Sequence, residues 1–284
     1  MSICTNKPVS LSISVVLYNS DLELLARTLV SLHKSLDYAR ANRWLSAEKI
    51  VLVDNASMPA YVDKLRVLLA RADIKMDGKH EYLVEAASNK GFGAGHNLAL
   101  THCSDSDYHL ILNPDVELAE DALVLACRYL AAHQDAVLVA PRAFGGSGEV
   151  EYLCKRYPSL AVLAVRALGF GWLRRLFAAS LTRYELREQA TVTQPLVVPL
   201  ASGCCMLVRR ADLQVLNGFN ERYFLYFEDF DLCLRLSQRG HLLLLPSMNI
   251  VHHGGYAARK GWQHVRLFLR SGLRFFNEHG WRWL

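Results

Sequence analysis

The 284-residue chain has no apolar run long enough to cross a bilayer. Its most apolar window, LAVLAVRALGFGWL (160–173), stops at 14 residues and contains Arg166, whereas a spanning helix needs about 20 apolar residues. It also lacks a basic N-terminal stretch running into a long apolar one, so no secretory leader is expected. Seven cysteines, an odd number without framework spacing, exclude a disulfide scaffold and point to a reduced, cytoplasmic setting. Cys204 and Cys205 are adjacent and lack C-x₂₋₄-C spacing, which argues against a zinc site with His252 and His253. No internal repeat, low-complexity tract or nucleic-acid-binding module is present, so no nucleic-acid partner is expected.

What is present suits one large globular domain. Hydrophobic residues make up 52% and charged residues 21% of the chain, enough for a sizeable core. The net charge of +5 is unevenly spread. Residues 155–187 carry seven basic side chains against Glu185 alone, and residues 256–284 carry six against Glu278 alone, leaving the remainder acidic. Both segments also hold aromatic and aliphatic residues, among them Trp172, Phe177, Trp262, Phe268 and Trp281. That mixture suits an amphipathic surface drawn to anionic lipid. Basic faces on ordinary core helices would have the same composition.

Strand and helix patterns alternate through the first half. SLSISVVL (10–17), KIVLVD (49–54), EYLVEAA (81–87), YHLILN (108–113) and AVLVA (136–140) read as strands. Between them, 21–36, 59–72, 94–102 and 119–132 have helical spacing, with Ser20 as a candidate N-cap for the first. This alternation predicts an α/β fold with a largely parallel sheet covered on both faces. Residues 142–160 break the rhythm, and further strands are expected at 196–200, 204–209 and 242–245.

Polar residues gather where predicted strands end: Tyr18-Asn19, Asp54-Asn55, Ser88-Asn89 and Asn113-Pro114-Asp115. Ligands of open α/β sheets sit beyond those carboxyl ends. Asp54 could accept from a base imide or a ribose hydroxyl, or could simply cap a turn. In NKGFGAGHN (89–97), Gly91, Gly93 and Gly95 would let backbone approach a phosphate at a helix N-terminus. The spacing is GxGxG rather than GxGxxG, so a dinucleotide site is disfavoured. Asp115, after a proline, could hold a hard divalent ion together with substrate phosphates. His252 and His253 end another apolar stretch and could add a ligand.

YFLYFEDFDLCLR (223–235) sets Glu228, Asp229 and Asp231 among aromatics. A buried carboxylate is costly unless it is paired, hydrogen-bonded or metal-bound. One explanation is a helix start, where acids meet the macrodipole and Asp231 pairs with Arg235 at i,i+4. The other is catalysis.

Taken in order, SVVLYNS, VDNAS, NKGFGAGHN, LNPDV, SGCCMLVRR, FNERYFLYFEDFDLCLRLSQRG and IVHHGG resemble the inverting family 2 glycosyltransferases of the GT-A fold. The GFGAGHN loop, CKRYPS (154–159) and YFLYFEDFDLCLRL carry a narrower resemblance to bacterial rhamnosyltransferases of O-antigen and cell-wall polysaccharide assembly. The resemblance implies a single GT-A domain: residues 1–140 hold the nucleotide sugar, 141–255 the acceptor and catalytic groups, and 256–284 form a basic helical segment. Tyr18, Asn19, Asp54, Asn55, Asn89, Gly91, Gly93 and Asn113 would then bind the nucleotide sugar. Asp115 stands at the last position of the family's DxD, here Asn113-Pro114-Asp115, so one carboxylate is missing. Mg²⁺ or Mn²⁺ would be held by Asp115 with His252, preferred over His253. Asp229 matches the general base, Glu228 would orient the acceptor, and Asp231 with Arg235 would be structural support.

The implied enzyme is peripheral on the inner face of the cell membrane. It would move L-rhamnose from dTDP-rhamnose to a polyprenyl-diphosphate-linked sugar. A UDP- or GDP-sugar donor, a non-catalytic nucleotide-sugar-binding subunit and, more distantly, a nicotinamide dehydrogenase are the rivals.

Overall fold

The computed structural model of the protein describes residues 7–74, 80–103, 105–254 and 262–283. Arg259 and Lys260 of the basic C-terminal segment, and Gly255 of IVHHGG, lie outside them.

β1 (Val9–Leu17) alternates apolar residues with serines and ends in an apolar run, and its buried Ser12 and Ser14 are hydrogen-bonded to His109 and His96. α1 (Leu22–Ala41) follows. Its N-cap is Asp21, whose carboxylate accepts from the Glu23 and Leu24 amides. The expectation of Ser20 is therefore displaced by one residue, because the neighbouring carboxylate reaches the free amides of the first turn. β2 (Leu45–Asp54), α2 (Pro59–Leu69), β3 (Glu81–Glu85), α3 (Phe92–His102) and β4 (Tyr108–Leu112) complete a parallel layer in the order β3-β2-β1-β4.

A short β5 (Val116–Leu118), α4 (Ala122–Ala132), β6 (Ala136–Gly145) and β7 (Val150–Glu151) come next. Three short helices follow: α5 (Leu160–Leu168), α6 (Gly171–Leu176) and α7 (Ala178–Tyr184). The chain then runs through β8 (Leu196–Val197), β9 (Cys205–Arg209), α8 (Arg210–Val215), α9 (Glu228–Leu236), β10 (His241–His252) and α10 (Trp262–His279).

β9 inserts antiparallel between β4 and β6, so both halves of the chain share one ten-stranded sheet. The division expected at residue 140 falls inside β6. Strand alternation assigns the two faces: Ile50 and Leu52 join the core under α1, α2 and α4, whereas Val51 and Val53 face Ala99 of α3. A separate aromatic core forms where Phe275 and Phe276 of α10 pack against Tyr223 and Phe227. No helix among the described residues is long and apolar enough to cross a membrane.

Candidate active site

In register, Leu17 of β1 lies beside Asp54 of β2, and Val15 beside Leu112 of β4. The polar residues after these strands therefore meet along one sheet edge. Asp54 is buried; one carboxylate oxygen accepts from the Ser57 amide at 3.1 Å and the other has no partner. Asn55 is buried too, and its side-chain amide donates to Asn89 Oδ1 and to the Gly91 carbonyl, each at 3.0 Å. Asn19, at φ 47°, uses its side-chain carbonyl on the Met58 amide and so ties the first strand end to the second. Tyr18 is 55% exposed beside them.

The glycines do something the sequence reading missed. Gly91 is buried at φ 102°, and a Cβ there would lie 2.0 Å from the Phe224 carbonyl oxygen. A Cβ on Gly93 would lie 2.7 Å from Phe219 Cβ. Gly91 is small because the backbone at Phe224 presses against it, with the Phe92 amide donating to the Phe224 carbonyl at 3.0 Å, and Gly93 because the Phe219 side chain does. Close approach to a phosphate is not what requires glycine at these two positions.

Asn113, Pro114 and Asp115 form the connection from β4 to β5. β10 pairs antiparallel with β5 and carries His252 beside Val116, while the Asp115 carbonyl accepts from the His253 amide at 2.8 Å. His252 Nε2 then faces Asp115 Oδ1 at 3.7 Å, and His252 Nδ1 sits 2.7 Å from Glu151 Oε2. His253 points elsewhere, to Glu117 at 2.6 Å. Glu151 was not expected from the sequence. It arrives through β7, which pairs with β6.

A second acidic group lies at the start of α9. Tyr226 and Phe227 lie at φ 70° and 66°, two successive non-glycine residues in left-handed backbone, a conformation that costs on the order of 1–3 kcal/mol each and collects at functional sites. No side chain caps this helix. Glu228 is 5% exposed and its Oε2 is unpartnered. Asp229 accepts from the Gly203 amide at 3.0 Å and the Phe230 amide at 2.9 Å. Burial raises the pKa of both carboxyls, and the Asp229 charge raises Glu228 further. Glu228 therefore keeps its proton more tightly, and Asp229 is the first of the two to ionise.

Asp231, one turn along, is different. It accepts from Arg235 Nε at 2.8 Å and meets His279 Nε2 at 2.9 Å. Asp231, Glu278 and His279 also bring three ligand-type atoms within 4.8 Å of one another. All three are already engaged, since Glu278 pairs with Arg222 and accepts from the Tyr223 hydroxyl. This cluster fits a structural network that fastens α10 to α9 better than it fits a metal centre.

One loop links the two acidic sites. The Cys204 carbonyl accepts from the Asn113 amide at 2.8 Å, while the neighbouring Gly203 amide donates to Asp229.

Residues 12–216 match the family profile described as Glycosyl transferase family 2. The chain belongs to that family. The matched span includes Asp54, Asn89 and Asp115 but ends before Glu228, Asp229 and His252. Rhamnosyltransferase WbbL of Escherichia coli (strain K12) is 29% identical over 195 residues, covering 65% of this chain and 69% of that protein. The N-acetylglucosaminyl-diphospho-decaprenol L-rhamnosyltransferase of Mycobacterium tuberculosis (strain ATCC 25618 / H37Rv) is 28% identical over 214 residues, covering 70% of this chain and 68% of that one.

Among solved structures, GalNAc-T7 with UDP, GalNAc and Mn²⁺ superposes with a TM-score of 0.67 at 16% identity. The alignment takes in 95% of this chain but only 48% of the GalNAc-T7 chain. That similarity identifies the fold as GT-A, as expected from the sequence motifs. It is a glycosyltransferase scaffold.

The strand-end residues of this family member fit a divalent ion. Asp115 Oδ1 and Asn113 Oδ1 are both buried without a hydrogen-bond partner. With Nδ1–H donated to Glu151, His252 keeps an Nε2 lone pair facing Asp115, the arrangement that commonly orients a metal-binding imidazole. Cys204 and Cys205 are buried free thiols, and they join no such cluster with the histidines among the described residues.

Proposed function

We propose that this glycosyltransferase moves a deoxyhexose, L-rhamnose from dTDP-rhamnose, onto a polyprenyl-diphosphate-linked sugar with inversion at the anomeric carbon. The observation that carries the reaction type is the unpaired Glu228–Asp229 carboxyl pair, desolvated at a strained helix start and joined by one loop to the Asp115 turn. The two rhamnosyltransferase relatives support the sugar, and the name of the mycobacterial one supports the lipid-linked acceptor.

The acceptor hydroxyl attacks the anomeric carbon on the face opposite the nucleotide. A new C–O bond forms there as the bond to the diphosphate breaks. The hydroxyl proton passes to Asp229, whose carboxylate is fixed by the Gly203 amide. Glu228, which keeps a proton more tightly than Asp229, would orient the acceptor. The electron pair of the broken bond leaves on the nucleoside diphosphate. A bound Mg²⁺ or Mn²⁺ would supply Lewis-acid stabilisation of that charge; Asp115 and His252 would hold it and Glu151 would orient His252. Asp54, Asn55 and Asn89 would hold the base and ribose at the sheet edge. Rate should fall as pH drops through the raised pKa of Asp229, because only the ionised form accepts the proton.

Peripheral attachment to an anionic membrane is part of the same reading. Trp172, Leu176, Trp262 and Leu269 are all more than half exposed, beside the basic side chains of their segments. Vesicle binding should weaken steeply with salt, since surface attraction decays over roughly 8 Å at physiological ionic strength.

Thermal shift across dTDP-, UDP- and GDP-sugars tests the donor, because a ligand that binds only the native state raises stability by mass action. A dTDP preference supports rhamnose, and a UDP preference overturns it. Free nucleotide released when donor and acceptor are mixed separates an enzyme from a binding subunit.

A further inference from the structure

Asp229 opens into a pocket of about 340 Å³ that is also lined by Lys155, Arg166, Tyr184 and Tyr226. Beside it lies a groove of about 610 Å³, walled by Leu160 and Ala164 of α5 and by Val265, Leu269 and Leu273 of α10. Leu163, Arg166 and Tyr226 line both, so the two depressions are continuous.

Two cations flank one aromatic ring at the junction. Lys155 Nζ and the Arg166 guanidinium lie 5.8 and 5.4 Å from the centroid of the same Tyr184 ring. Glu185 is shared between Arg166 at 2.9 Å and Arg187 at 3.0 Å. Lys155 has no acidic partner within ion-pair distance among the described residues. Burial, helped by the Arg166 charge, pushes its pKa down to about 8 against the opposing pull of Glu185 and Glu151.

From Asp229 outward, the surface therefore changes from carboxylate to paired cations to apolar groove. A lipid-linked sugar has the matching order: hydroxyl, diphosphate, hydrocarbon. We infer that this continuous depression is the acceptor's track, with Lys155 and Arg166 on the diphosphate and the first isoprene units lying between α5 and α10. The inference rests on the lipid-linked acceptor proposed above and adds where each part of it sits.

The test is calorimetric binding of two acceptor analogues, the geranyl and methyl esters of N-acetylglucosaminyl diphosphate, to the full chain. A chelator is included so that the strand-end site does not capture the diphosphate. The wild type should bind the geranyl ester about tenfold or more tightly than the methyl ester, because only the former buries hydrocarbon in the groove. Ala164→Trp fills the groove from an exposed helix position and should abolish that preference without weakening the methyl ester. Lys155→Met with Arg166→Gln should weaken both esters by about tenfold and leave their ratio unchanged.

If Ala164→Trp keeps the geranyl preference, the groove is not the lipid site. If the double variant binds both esters as the wild type does, the cations are not the diphosphate site. In either case the acceptor class stands. If neither ester binds the wild type, the acceptor reading falls and this inference with it. Vesicle binding should be unchanged in Ala164→Trp; its loss would mean that the groove serves bulk lipid and would overturn the acceptor track.

Discussion

Two acidic clusters, joined through the Gly203–Cys204 loop, are built on opposite plans. At the strand ends, carboxylates come with imidazole: Asp115 faces His252, and Glu151 fixes that ring from behind. At the start of α9, Glu228 and Asp229 have no cation within ion-pair distance among the described residues, only backbone amides on Asp229 and nothing on Glu228 Oε2. One turn later Asp231 has both Arg235 and His279. Acids that stabilise a fold are neutralised by partners. Acids kept apart from cations in a desolvated wall gain affinity for a proton. The first cluster is suited to hold a positive ion, and the second to take up the proton of an incoming hydroxyl.

The comparison breaks first at Asp229. Asp229→Asn should lower transfer by about 10²–10⁴-fold, the usual contribution of a general base, with donor affinity unchanged. The same substitution should stabilise the fold at neutral pH. A carboxyl whose folded pKa is raised contributes stability below its unfolded pKa and loses it as pH rises through the folded value. Asparagine removes that loss. A folded Asp229→Asn protein with near wild-type transfer, measured as nucleotide release, removes Asp229 from the mechanism.

Asp231 should behave in the opposite sense. It is 2% exposed, and Asp231→Asn strips Arg235 and His279 of their shared carboxylate. Breaking a buried pair costs roughly 3–5 kcal/mol, read as a lowered denaturant midpoint, with activity following the folded fraction. An Asp231→Asn protein that is stable but inactive would place this residue with the catalytic pair.

These contrasts also separate what the sequence could disclose. The runs that became β1, β2 and β4 were legible because each carries a buried apolar stretch, VVL, IVLV and LIL, towards its carboxyl end. β5 and β7 were not, being three and two residues long. β10 was legible only at 242–245, because Pro246 interrupts it and its pairing with β6 shifts register between Leu245 and Asn249. Asp115, Asp229 and His252 stood out as polar residues in apolar surroundings. Glu151 did not, since its place beside His252 is created by a cross-strand pairing with no local signature. The glycine-rich loop was conspicuous but ambiguous: absence of a Cβ looks the same in sequence whether a phosphate or the Phe224 carbonyl occupies the space.

Glu151 supplies the next test. Glu151→Gln should weaken Mn²⁺ binding by about 10–100-fold, the usual effect of losing the group that orients a metal-binding histidine. Mn²⁺ titration followed by nucleotide release would measure it, with activity recovering at high Mn²⁺. Asp115→Ala should not recover. Equal loss in both variants would mean that Glu151 ligates directly, and activity persisting in chelator would remove metal from the mechanism.

The smallest effect is expected at Glu228, and it divides the α9 pair most finely. Burial raises both carboxyls, but the charge of Asp229 acts on Glu228 as well, so of the two Glu228 is the one that holds a proton more tightly. Glutamine resembles a protonated glutamate in shape and can still donate to the acceptor. Glu228→Gln should therefore cost less than about tenfold in transfer, expressed mainly in acceptor KM, against the 10²–10⁴-fold general-base contribution at Asp229. The acid limb of its pH–rate profile should stay above the ordinary aspartate range, because Asp229 remains desolvated whichever residue sits beside it. If Glu228→Gln is as damaging as Asp229→Asn, the two carboxyls exchange their assignments and Glu228 is the base. If the acid limb falls into the ordinary aspartate range, the raised pKa depends on sharing one proton between the pair, and burial alone does not hold Asp229 ready to receive it.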